Sequence, residues 1–169
     1  MIDEYTLFYL KWIEPVKKLL LKNSLSSTYW SKQCDSPGWY SWSGLAFESV
    51  CYKHINAIRN AIKLDADALP YTWRYTPKAL SENNGTQIDL LFDRSDDAIT
   101  LCEIKYTNNP FVIDKAIARN ILDKKDIFTK STKTKKQLFF SFISAHGLKN
   151  TPYSEDLVDT VVTLDDLFC

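Results

Sequence analysis

Two short apolar runs, Thr86–Phe92 and Ile99–Lys105, flank the polar stretch Asp93-Arg94-Ser95-Asp96-Asp97. Strand-length runs joined by turn-forming residues predict a β-hairpin. Apolar residues fall on both faces of each run, so the strands are expected at the centre of a sheet covered by helices. Yet Asp89, Glu103 and Lys105 interrupt them. Charges are costly in a strand covered on both faces unless each finds a partner or a task.

The rest of the chain supplies what such a hairpin needs. Residues 2–22 read as helical or mixed, with Pro15 interrupting them. Ser24–Gly44, rich in Ser, Trp and Tyr and carrying Pro37-Gly38, reads as an ordered loop. A helix is expected from Ser43, with Phe47, Val50, Cys51, Ile55, Ile58 and Ile62 at three- and four-residue steps. Tyr71–Thr76 reads as a strand. After the hairpin, Val112, Ile113, Ala116, Ile117, Ile121 and Leu122 predict an amphipathic helix. Gln137–Ile143 and Val158–Leu164 read as two more strands, and Leu164–Phe168 as a closing turn. Helix, three strands, helix, two strands describes an α/β domain with a mixed sheet.

The chain has 169 residues and is 45% hydrophobic, enough for one domain with its own core. No apolar run reaches membrane-span length and no secretory signal is visible, so a soluble cytoplasmic protein with no membrane partner is expected. The scattered cysteines Cys34, Cys51, Cys102 and Cys169 fit reduced thiols. Cys51 and His54, three apart on a helix, read as a buried thiol beside a surface histidine. His146 has no evident partner for nucleophilic catalysis.

Twenty-one basic residues balance twenty-one acidic ones. That argues against a uniformly basic binder. Between Lys115 and Lys136, however, Lys115, Arg119, Lys124, Lys125, Lys130, Lys133, Lys135 and Lys136 face only Asp114, Asp123 and Asp126. The tail is acidic. This belt is either a solvated helix face or an electrostatic footprint for nucleic acid.

Glu103 and Lys105 are two apart and leave one face of their strand. A turn centred between Ser95 and Asp96 sets Asp89 opposite Cys102, one residue from Glu103, and a small bulge would join the two carboxylates. Adjacent carboxylates repel unless a cation or proton sits between them. Hard oxygen donors suit Mg²⁺, or Mn²⁺ in its place. A lysine beside them can orient or help deprotonate a metal-bound water, which can attack phosphorus. The plain alternative is a structural salt bridge at a sheet end.

Ile88-Asp89, thirteen intervening residues and Glu103-Ile104-Lys105 resemble the PD-(D/E)XK nuclease signature, with Ile88 where Pro is usual. The resemblance implies a restriction-endonuclease-like αβββαβ core, a central mixed sheet flanked by helices. It implies Asp89 and Glu103 as metal ligands, Lys105 on the attacking water, Glu48 of the preceding helix as a further ligand and Ile104 offering its backbone carbonyl. Gln87, two before Asp89, would help position substrate or water. Gly44–Glu48, Gly85–Leu91, Leu101–Tyr106 and Val162–Phe168 are similar to the nuclease-like C-terminal domain of archaeal and bacterial AAA/STAND-type ATPases. The opening Ile2–Leu10 is similar to the end of the winged-helix segment preceding that domain. Residues 1–42 are therefore expected as a helical and loop extension, and 43–169 as the nuclease-like domain. No Gly-rich phosphate loop occurs, so the chain reads as a stand-alone form or a piece of a longer protein.

Two functions follow as expectations. One is a Mg²⁺-dependent DNA endonuclease, with Lys115, Arg119, Lys133 and Lys135 on phosphates and two copies pairing to cut both strands. The other is a non-catalytic module that binds DNA or protein for a P-loop ATPase, with Trp30, Trp39, Tyr40 and Trp42 as an interface.

Overall fold

The computed structural model describes residues 3–77 and 85–168; Ile2 and Cys169 lie outside them. The chain divides into two compact units, Met1–Val50 and Cys51–Cys169.

The first unit is helical. Helix α1, Glu4–Phe8, is capped by Asp3, whose carboxylate accepts the Thr6 N–H at 2.8 Å. A π-helical turn, Tyr9–Ile13, and a 3₁₀ turn at Pro15, Glu14–Val16, lead into α2, Lys17–Leu21. The segment read as a loop contains α3, Tyr29–Cys34, and the start of α4, Pro37–Lys53. Ser36 Oγ accepts the Trp39 N–H, and Pro37 takes the first helical position, where its missing N–H costs nothing. Helix α4 thus begins six residues before Ser43, which is buried instead of capping. The aromatics fill this unit: the Phe8 ring lies 5.9 Å from Trp42 and 6.4 Å from Trp30 and Trp39, and Trp12 lies 5.2 Å from Trp39. Of the four aromatics considered as an interface, three therefore pack together, and Tyr40 is exposed.

The second unit is an α/β fold. The expected long helix breaks at His54, and α5, Ile55–Ala61, follows. The strands are β1, Leu69–Tyr75; β2, Thr86–Asp93; β3, Ala98–Lys105; β4, Gln137–Ser144; and β5, Thr160–Val162. They form one open mixed sheet in the order β1-β2-β3-β4-β5. The first two pairings are antiparallel and the last two parallel. The edges are blunted by Pro70 in β1 and by the shortness of β5. Helix α6, Lys115–Thr132, connects β3 to β4, and the short α7, Pro152–Leu157, precedes β5.

Helix α6 starts later and runs further than its apolar pattern suggests. Asp114 caps it by accepting the Ile117 N–H, so Val112 and Ile113 precede it. Its buried positions are Ala118, Ile121 and Phe128, whereas Leu122 is half-exposed. These pack with Ile88, Leu91, Leu101, Phe140 and Phe142 in one core under the sheet. That core fixes α6 against the face of β3 that carries Glu103, because Glu103 and its β4 partner Phe142 share a face.

Candidate active site

The hairpin register differs by one residue from the sequence expectation. Asp97 adopts a φ of 60°, in the left-handed region, and the Arg94 N–H donates to the Ala98 carbonyl. The connecting loop therefore holds an odd number of residues and is centred on Asp96. Leu90, not Asp89, lies opposite Cys102. Asp89 and Glu103 are the next residues beyond that last pair.

A bulge occurs on the other side of β2. Tyr71 pairs with Leu91 and Trp73 with Ile88, so Asp89 and Leu90 together face Thr72 alone. Such a bulge frees backbone groups and re-aims a side chain. Both consequences are visible at Asp89. Its carbonyl accepts the Tyr52 hydroxyl at 2.8 Å. Its carboxylate Oδ2 accepts the Ile104 N–H at 3.0 Å, replacing the ladder that stops at Leu90 and Cys102. Its Oδ1 accepts Nε2 of Gln87 at 3.2 Å. Gln87 is held in turn by Arg74, whose Nη2 donates to its Oε1 at 2.7 Å. That bond fixes which end of the amide faces Asp89.

Glu103 is gripped at both oxygens. Lys105 Nζ lies 2.9 Å from Oε1, and Lys124 Nζ, from α6, lies 2.5 Å from Oε2. Asp89 and Glu103 are each only 7% exposed. The two lysines differ: the Lys105 side chain is 46% exposed and that of Lys124 13%. A groove of about 530 Å³ opens here, lined among others by Gln87, Glu103, Lys105, Asn120 and Lys124.

The donor set fits a hard divalent cation. Asp89 on β2 and Glu103 on β3 offer buried carboxylate oxygens from neighbouring strands. The Ile104 carbonyl belongs to the buried residue between Glu103 and Lys105. Among the described residues no three of His, Cys, Asp and Glu gather as a metal-binding group, so waters or substrate oxygens would complete the shell. Glu48 belongs to the first unit, on α4, whereas Gln87, Asp89, Glu103, Ile104 and Lys105 belong to the second.

The basic belt separates into roles. Lys124 serves Glu103. Lys130 pairs with Asp126 at 2.6 Å, and Lys136 with Asp93 at 2.6 Å. Lys125 lies 5.3 Å from the Phe140 ring centre, and burial, partly offset by Asp159, lowers its pKa. Lys115 and Arg119 are exposed and line a second groove, of about 790 Å³, between α6 and α7. Ala116 lines both grooves. Lys133 and Lys135 are exposed beyond the opposite end of α6, on the order of 20 Å away at 1.5 Å per residue. Lys115 and Arg119 thus lie near the start of α6, and Lys133 and Lys135 just past its end.

Other reactive side chains are engaged elsewhere. Burial pushes the Cys102 thiol far above its ordinary range, with Cys51 and Asp89 adding to the effect, so it is no nucleophile. The His54 ring lies 4.7 Å from that of Phe168. Three contributors escaped the sequence reading. Tyr52 and Arg74 left no signal, because their partners depend on the bulge. Lys124 did leave one: it falls three residues after Ile121 and four before Phe128, on the buried stripe of α6.

No family model, no curated protein and no solved structure matches this chain.

Proposed function

We propose that the protein is a divalent-cation-dependent nuclease of PD-(D/E)XK type, hydrolysing phosphodiester bonds of DNA at the open end of the β2–β3 hairpin. The observation that carries this reading is the pair of buried carboxylates, Asp89 and Glu103, on facing strands where the ladder parts, with Lys105 on Glu103. The order of α4, β1–β3, α6 and β4 supports the restriction-endonuclease-like core.

Asp89, Glu103 and the Ile104 carbonyl would hold Mg²⁺ or Mn²⁺. The cation, when bound, supplies a Lewis acid that acidifies an attacking water and neutralises charge developing on phosphate. The protein's own groups do the rest. The Ile104 N–H and the Gln87 amide hold Asp89 in one orientation. Lys105, half-exposed and tied to Glu103, would orient the attacking water, whose proton would leave to solvent. Lys115 and Arg119 would meet neighbouring phosphates.

The test is relaxation of supercoiled plasmid in Mg²⁺ or Mn²⁺ by the native chain, Asp89→Ala and Lys105→Ala. Metal-dependent nicking that falls at least about a hundredfold in both variants is expected. Native protein that binds DNA and never nicks it would replace this reading with the non-catalytic binding module.

A further inference from the structure

Lys124 stands out among the lysines of α6. It sits on the helix's buried stripe, between Ile121 and Phe128, and its side chain is only 13% exposed. A lysine there loses hydration and is tolerated only with a close partner. Its partner is Glu103, which already has Lys105 on its other oxygen. An ion pair made only to neutralise Glu103 would need one lysine. Here two ammonium groups offset Asp89 and Glu103, and both lysines line the same open groove.

We infer that Lys124 is a positioning residue that trades partners. This rests on the nuclease reading only in requiring that a divalent cation binds Asp89 and Glu103. Without cation, Lys124 holds Glu103 Oε2 and keeps the carboxylate aimed at Asp89. A cation arriving at Glu103 competes directly with Lys124, the more buried of the two lysines. Displaced from Oε2, the Lys124 ammonium stays in the groove, where the matching partner is an anionic oxygen of a phosphodiester. Asn120, one helical turn before Lys124, lines the same groove and offers an amide donor beside it. Lys124 therefore weakens cation binding in the empty site and strengthens phosphodiester binding in the loaded one.

The experiment compares the native chain with Lys124→Met, which keeps length and apolar packing, and with Lys130→Met, which removes a lysine paired at the surface. Mn²⁺ affinity is measured by calorimetry without nucleic acid. Binding of a short DNA duplex is measured with Ca²⁺ in place of Mg²⁺. Lys124→Met is expected to tighten Mn²⁺ by roughly threefold or more, and to weaken the duplex by about fivefold. Lys130→Met should change neither appreciably. Folded Lys124→Met protein with both affinities unchanged would make the pair purely structural and overturn the proposal.

A second measurement needs no variant. Acetylation footprinting of the native chain should show Lys124 becoming several-fold more reactive in Ca²⁺ and protected again when the duplex is added. Reactivity indifferent to both overturns the proposal, whatever the cleavage assay gives. A native chain that binds Mn²⁺ and shows this exchange but never cuts DNA removes the nuclease reading and leaves the role of Lys124 standing.

Discussion

The two ends of the β2–β3 hairpin carry similar charges in opposite settings. At the turn, Lys136 pairs with Asp93 at 2.6 Å and Arg94 pairs with Asp96, all at least partly open to solvent. At the other end, Lys124 and Lys105 hold Glu103, whose side chain is 9% exposed, beside Asp89. The distances hardly distinguish them; the surroundings do. Solvent screens the turn cluster, which acts as a staple across residues close in space. The buried cluster lost hydration when the chain folded, and it lies where the β2–β3 pairing has ended. The proposed function assigns chemistry to the buried end only.

The largest effect that can break this comparison is on activity. Glu103→Gln should lower metal-dependent plasmid cleavage by about a hundredfold or more, whereas Asp93→Asn should leave it near native. Equal losses in both would mean that the buried end is not special. Next comes stability. Lys124→Ala should cost about 3 kcal/mol in chemical denaturation, the lower end of the range for breaking a buried pair, because Lys105 still serves Glu103. Lys136→Ala should shift the midpoint far less.

A third test sharpens the division of the basic belt. Replacing Lys115 and Arg119 with alanine should weaken DNA binding about tenfold and flatten its salt dependence by roughly two phosphate contacts. The same change at Lys133 and Lys135, beyond the far end of α6, should do less.

The smallest effect is in the pH dependence of the turn. The Arg94 side chain holds the Asp96 carboxyl below its usual value. Its contribution is present above the ordinary carboxylate range and lost as pH falls through the depressed value. Bonding to Asp93 raises the Lys136 pKa. That contribution is complete below the ordinary lysine value and lost as pH rises through the raised one. The difference in thermal midpoint between the native chain and Lys136→Met should therefore be widest near neutrality. It should narrow as pH rises above about 10.5.

Much of this was legible in the sequence because hydrophobic period and turn residues act locally. The hairpin, its three charged interruptions and the later strands could be read that way, β5 only as part of a longer run. The register could not, since one left-handed residue, Asp97, changes the loop count and shifts every cross-strand pair. The bulge that turns Asp89 depends on β1 and leaves no local mark. Helix α4 was hidden because Pro37-Gly38 looks like a turn, although Ser36-Pro37 also fits a helix start. Lys124 was obscured by the charged run around it, which reads as a wet face until the stripe from Ile121 to Phe128 is laid out.

The most direct test is a crystal structure of the protein soaked in Mn²⁺, with the metal located by its anomalous signal. The account predicts one peak about 2.0–2.2 Å from carboxylate oxygens of both Asp89 and Glu103, with Lys124 withdrawn from Glu103. No peak at saturating Mn²⁺, with Lys105 and Lys124 still closed on Glu103, would contradict it and leave the buried cluster as a salt bridge.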